Sequence, residues 1–122
     1  MPEQYPEFIP NAGACLATKN VVQGNGRPRW MVRENSQNPS DNGWRIMSHI
    51  DTSDYLSDMS NWQVVDFNAV CAIEPALIGI WDLKVGSDLQ LVDDELGIRI
   101  IDTPTGQEIP EDNLYVPPAG RA

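Results

Sequence analysis

Apolar residues occur in short runs separated by polar turns, and three runs in the first half of the chain predict β-strands. Ala14–Ala17 is typical of a short buried strand. Trp30–Arg33 and Trp44–Ser48 flank a segment rich in Asn, Ser, Pro and Asp, residues that favour turns. These two runs therefore predict an antiparallel hairpin, which would place Arg33 and Arg45 near its loop end.

The pattern becomes helical in the middle of the chain and returns to alternating faces afterwards. Asp66 is placed to cap a helix over residues 67–73, and Pro75 suits the first position of a second short apolar helix. Asp88–Val92 and Ile98–Ile101 flank a polar turn and predict a final hairpin. Strands outnumber helices without regular βαβ alternation. The predicted class is therefore α+β, a mainly antiparallel sheet with two short helices packed on one face.

Chain length and the distribution of prolines predict one domain with irregular ends. The chain has 122 residues, of which 41% are hydrophobic, and this is enough for a single compact core. The prolines within residues 1–12 fix φ and remove amide donors, so we expect an extended arm on the surface. The predicted domain covers residues 13–103. Four further prolines in residues 104–122 predict an irregular C-terminal tail.

Charge is unevenly distributed and restricts the classes of partner. Eighteen Asp and Glu against eight Lys and Arg give a formal net charge of −10. This excess disfavours nucleic acid and anionic membranes, and it favours a basic protein whose binding weakens as salt is raised. A merely well-solvated acidic surface is the alternative interpretation. One acidic loop supplies the candidate partner-binding residues Asp51, Asp54, Tyr55 and Asp58.

Residue types that support catalysis or metal binding lack the spacing that such sites need. His49 is the single histidine, so a catalytic triad or a multi-histidine metal site would lack members. Cys15 and Cys71 form no CxxC pair, and we expect both to be buried, reduced thiols. The acidic loop fails the EF-hand calcium pattern. We therefore predict no catalytic residue, no metal and no cofactor, in a protein that is not an enzyme.

The tryptophans and the N-terminus add two expectations. The first residues carry no basic and apolar leader, and no apolar run approaches the ~20 residues that span a bilayer, so we expect a cytoplasmic protein. The tryptophans lie in apolar runs, which favours burial, and any exposed one is an interface candidate. They are Trp30, Trp44, Trp62 and Trp81.

Short motifs in the first predicted hairpin resemble a known family. Arg33-Glu34 ends one strand, and Gly43-Trp44-Arg45 follows after an acidic turn. In this order and at this separation, the motifs resemble the immunity protein 33 family, also called domain of unknown function 2185. The likeness covers residues 13–92. One departure is Ser48-His49, where the family tends to have Ser-Gly.

The resemblance implies a bacterial α+β protein that is encoded beside a polymorphic toxin and neutralises it by protein–protein interaction. No catalytic residues come with it. A basic toxin, such as a nuclease, would be attracted to the carboxylates. Arg33 and Arg45 join the acidic loop as candidate contact residues. The alternative is a small ligand-binding or regulatory module, in which exposed tryptophans and the two arginines line a pocket. The oligomeric state stays open.

Overall fold

A six-stranded sheet forms the centre of the computed structural model, which describes residues 5–118. The strands are β1 (Ala14–Thr18), β2 (Pro28–Arg33), β3 (Asp41–Ser48), β4 (Trp62–Asp66), β5 (Asp88–Asp94) and β6 (Gly97–Asp102), in the spatial order β4-β1-β3-β2-β5-β6. Every pairing is antiparallel except β1 with β3. The predicted α+β class with a mainly antiparallel sheet is confirmed. The outermost residues of the predicted arm and tail, 1–4 and 119–122, lie outside the described residues.

The predicted hairpin of β2 and β3 is confirmed, and its register separates the two arginines. Arg33 lies opposite Trp44, whereas Val32 lies opposite Arg45. Because cross-strand partners point to the same face, Arg33 and Arg45 lie on opposite faces of the sheet. Gly43 allows the backbone of β3 to lie close to the carbonyl oxygen of Glu34. Its φ is +88°, and a Cβ there would lie 2.2 Å from that oxygen.

Short helices connect the strands, and their number differs from the prediction. They are α1 (Lys19–Val22), α2 (Ser53–Ser57) and α3 (Phe67–Ile73), with 3-10 helices at Met59–Asn61, Pro75–Ile80 and Glu111–Asn113. Asp66 caps α3 as predicted and accepts a hydrogen bond from the amide of Asn68 at 3.0 Å. The helix predicted from Pro75 is a 3-10 helix instead. A 3-10 helix has three residues per turn, so Leu77 and Ile80, which are three positions apart, point to the same side and are both buried in the core.

One face of the sheet, which we call the core face, carries the hydrophobic core. It presents Met31, Trp44, Ile46 and Leu89, which are at most 1% exposed. Buried residues of α1, α3 and the 3-10 helix Pro75–Ile80 belong to the same cluster. Within residues 5–118, no helix combines the length and apolar character needed to cross a bilayer.

The N-terminal arm and the C-terminal tail both pack against this core. Ile9 is fully buried, so the expectation that the whole arm lies on the surface is wrong there. Its amide donates to Oδ1 of Asn68 at 3.0 Å, and its carbonyl oxygen accepts from Nδ2 at 3.1 Å. In the tail, the amide of Tyr115 donates to the carbonyl oxygen of Gly79 at 2.8 Å. The Tyr115 ring lies edge-on to Trp81 at 4.8 Å. The core therefore includes residues from both the arm and the tail.

Candidate functional site

The carboxylate of Asp51, the first residue of the acidic loop, accepts hydrogen bonds from other residues of the fold. Its Oδ2 accepts from Thr18 Oγ1 at 2.8 Å and from the Ser48 amide at 2.7 Å, and its Oδ1 accepts from Asn20 Nδ2 at 2.8 Å. Burial opposes ionisation of Asp51, but these hydrogen bonds outweigh it and lower its pKa. Asp51 therefore joins β1, α1 and the end of β3.

The other three residues of the acidic loop lie on one short surface segment. Asp54 is exposed in the first turn of α2, and its carboxylate makes no hydrogen bond within residues 5–118. Tyr55 is half-buried, and its amide donates to Oγ1 of Thr52 at 3.1 Å. Asp58 Oδ1 accepts from the hydroxyl and the amide of Ser60, which lowers the pKa of Asp58. Asp54 is therefore the carboxylate of this loop that is most available to a partner.

Arg33 is engaged on the core side of the sheet. Its Nε donates to the carbonyl oxygen of Asn42 at 3.0 Å, and one terminal nitrogen donates to that of Leu83 at 2.6 Å. The guanidinium carbon lies 5.8 Å from the centre of the Trp44 ring. Arg33 and Arg45 therefore do not line one pocket, which removes the arrangement assumed for the ligand-binding alternative.

Arg45 lies on the opposite face and forms an ion cluster with Asp41 and Glu34, which we call the Arg45 cluster. The Arg45 side chain is 5% exposed. Both terminal nitrogens donate to Asp41 at 2.9 Å, and Nε donates to Glu34 Oε2 at 3.1 Å. The hydrogen bonds from Arg45 are the main reason why the pKa of Asp41 lies well below its ordinary value. Two carboxylates around one guanidinium leave a formal charge of −1.

The sheet face that carries Arg45 is partly exposed to solvent, and we call it the open face. It extends from Trp30 on β2, which is 37% exposed, to Val64 on β4, which is 69% exposed. Trp30 is thus the exposed exception among the tryptophans and an interface candidate. Leu56 of α2 and Met59 of the adjoining 3-10 helix lie at one end of this face, and residues 37–41 border it beside Leu16 and Val64. Next to the Arg45 cluster is a concavity of about 270 Å³, whose apolar lining is Leu16, Val32, Met47, Leu56, Met59 and Trp62.

The remaining candidate groups do not form a reactive constellation. His49 is exposed, and its Nδ1 accepts a hydrogen bond from the amide of Arg27 at 3.0 Å. Cys15 and Cys71 are buried free thiols, as predicted. Among residues 5–118, no group of three His, Cys, Asp or Glu side chains is arranged to hold a metal ion.

Sequence patterns favoured burial of every tryptophan, Trp30 included, and did not reveal the open face. Leu16, Met47, Val64 and Glu34 were absent from the predicted contact residues. The available signal was the composition of β2 and β3, which carry apolar residues on both faces. A strand with one solvated face normally alternates apolar with polar positions, so this departure points to a second apolar surface.

Comparison with known proteins confirms the resemblance suggested by the hairpin motifs. The model of a family described as immunity protein Imm33 domain matches residues 15–101. That span runs from β1 into β6 and includes Glu34, Asp41 and Arg45. No curated protein and no solved structure matches the chain. Because the family model covers more than half of the sequence, the chain belongs to the immunity protein Imm33 domain family.

Proposed function

We propose that the protein binds a cognate toxin directly and neutralises it in the cytoplasm of the cell that makes both. Family membership supports an immunity role. The observation that carries direct binding as the mode of action is the open face. Apolar side chains left in water on or beside this face, among them Trp30, Met59 and Val64, are typical of a protein–protein contact region.

The charges at the α2 end of the open face support a basic partner. Asp54 and Asp58 lie on the segment of α2 and the following turn that passes over one end of this face. An apolar centre with a charged rim is the usual anatomy of a protein interface. The net charge of −10 increases the rate at which a basic toxin encounters the protein. The acidic loop therefore contributes to the rim and the open face to the centre.

Neutralisation by contact requires no reaction. The bound protein needs only to cover the toxin's active site or to hold it in an inactive shape, so affinity and lifetime of the complex decide protection. We therefore propose a stoichiometric inhibitor and not an enzyme. The two cysteines fit this assignment because neither is accessible as a nucleophile.

Co-expression with the product of the adjacent toxin gene tests the proposal. We expect the two proteins to copurify at low salt in a fixed molar ratio, with an affinity that falls as salt is raised. Replacing Asp54 with Lys should slow association several-fold. Replacing Glu111 with Lys, in the exposed 3-10 helix of the tail, makes the same charge change away from the open face and serves as the control. Failure of the wild-type protein to retain that gene product at low salt would contradict the proposal.

A further inference from the structure

The Arg45 cluster contains one carboxylate that the fold leaves incompletely paired. Asp41 accepts hydrogen bonds from both terminal nitrogens of Arg45 and from the amides of Gln37 and Gly43. Glu34, in contrast, accepts one bond through Oε2, and within residues 5–118 Arg45 is the only residue that donates to its carboxylate. The Glu34 side chain is 60% exposed. The cluster's surplus negative charge therefore faces the solvent at Glu34.

This charge lies beside an apolar surface, and that position determines how strongly it would attract a cation of the partner. Glu34 and Arg45 share the concavity with Val32 and Met47. A partner that covers the open face would exclude water from Glu34, and burying a cluster whose net charge of −1 is left uncompensated is strongly unfavourable. A cationic side chain of the partner, surrounded by apolar atoms, would neutralise this charge. The attraction between the two charges would be stronger there than in bulk water.

We propose that the open face is the docking surface for the toxin and that Glu34 is its specificity-determining residue, pairing with a lysine or arginine that the toxin presents from an apolar contact region. This inference rests on the proposed immunity function. Charge complementarity selects the occupant: the Arg45 cluster has a formal charge of −1, and Asp54 and Asp58 add negative charge at the end of the face. A second copy of the chain docked face to face by a two-fold axis would place one negatively charged surface against another, which like charge disfavours.

The test compares variants of the full chain for binding to the purified product of the adjacent toxin gene. Glu34→Gln removes the charge and keeps an acceptor, and we expect an affinity about tenfold weaker, mainly through faster dissociation. Glu34→Asp keeps the charge and should reduce the affinity less than Glu34→Gln does. Val64→Asp introduces an extra carboxylate into the apolar surface and should weaken binding by more than about tenfold.

Matched controls lie in the turn between β5 and β6, away from the open face. Glu95→Gln makes the same charge change as Glu34→Gln, and Leu96→Asp makes an apolar-to-acid change at a side chain that is 78% exposed. Both should bind within about twofold of the wild-type protein. Thermal unfolding of every variant shows whether a loss of binding reflects a loss of fold.

The outcomes separate this inference from the proposed function. If the wild-type protein binds the toxin and both Glu34→Gln and Val64→Asp bind equally well, the docking surface is wrong and the immunity function stands. Equal losses in Glu34→Asp and Glu34→Gln would overturn the role of the charge. If the wild-type protein does not bind that toxin, the proposed function itself fails. Self-association of the wild-type protein that Val64→Asp abolishes would show a second copy on the open face and would overturn the inference.

Discussion

Replacing Asp51 with Ala should destabilise the fold, although Asp51 belongs to the acidic loop. The substitution removes the acceptor of three donors: the hydroxyl of Thr18, the side-chain amide of Asn20 and the backbone amide of Ser48. Thr18 and Ser48 are fully buried, so water cannot replace the lost bond without entering the fold.

The size of the effect follows from the number of donors left unpaired. A hydrogen bond to a charged group contributes about 1.5–3 kcal/mol, and the half-buried position of Asp51 lets water offset part of the loss. We therefore expect a loss of about 3 kcal/mol in the free energy of unfolding, a large share of the roughly 5–15 kcal/mol typical of a domain. Asp54→Ala, at an exposed carboxylate, should change it by less than about 0.5 kcal/mol.

Urea unfolding followed by tryptophan fluorescence measures the difference. With an m-value of about 1.5 kcal/mol/M, the midpoint of Asp51→Ala should lie about 2 M below that of the wild-type protein. Asp54→Ala is the matched control, because it removes the same group from the same loop. If the two variants unfold at the same urea concentration, the carboxylate of Asp51 does not hold β1, α1 and β3 together and the reasoning is refuted.

Three further predictions concern ionisation, backbone conformation and thiol reactivity. Arg45 is the main cause that lowers the pKa of Asp41 in the folded protein. The ionised Asp41 should therefore stabilise the fold fully above its unfolded-state pKa of about 3.9, and this stabilisation should decrease as pH falls below that value. In Asp41→Asn, the urea midpoint should decrease less steeply below about pH 4 than in the wild-type protein. Gly43→Ala should cost more than about 3 kcal/mol in urea unfolding, because its Cβ would clash with a carbonyl oxygen. Gly97→Ala, which has a similar positive φ but open space around it, should cost about 1 kcal/mol, and equal losses would contradict the clash. Burial raises the pKa of the Cys71 thiol to about 12 and also raises that of Cys15, so neither should react with a disulfide reagent until the protein unfolds; rapid reaction in native buffer would contradict this.

The sequence predicted the elements whose stabilising interactions are local. The helix capped by Asp66 depends on an amide two residues away, and the β2–β3 hairpin joins strands that follow each other directly in the chain; both are confirmed. The parallel pairing of β1 with β3 depends on partners far apart in the chain, and no local signal reports it. The burial of Ile9 was missed for the same reason, because its hydrogen-bonding partner is Asn68.

The candidate site was only partly accessible to sequence reasoning. Clustered carboxylates identified the acidic loop, but charge counting cannot distinguish Asp51, which the fold has already paired, from the exposed Asp54. The open face depends on which side of the sheet the helices cover, and that is decided by the packing of the whole chain. Trp30 lies in an apolar run that favoured burial, so its exposure could be seen only in the folded structure.

The packing of Ile9 and Tyr115 on the core means that the family-matched segment is smaller than the unit that folds. The match covers residues 15–101, whereas the carbonyl oxygen of Ala12 accepts from Trp81 Nε1 at 2.9 Å and from Asn42 Nδ2 at 3.0 Å. A fragment trimmed to the matched boundaries would lose that acceptor, the buried side chain of Ile9 and the ring of Tyr115 together. Its exposed core would favour aggregation over folding, so recombinant fragments intended for toxin protection should retain residues 5–118.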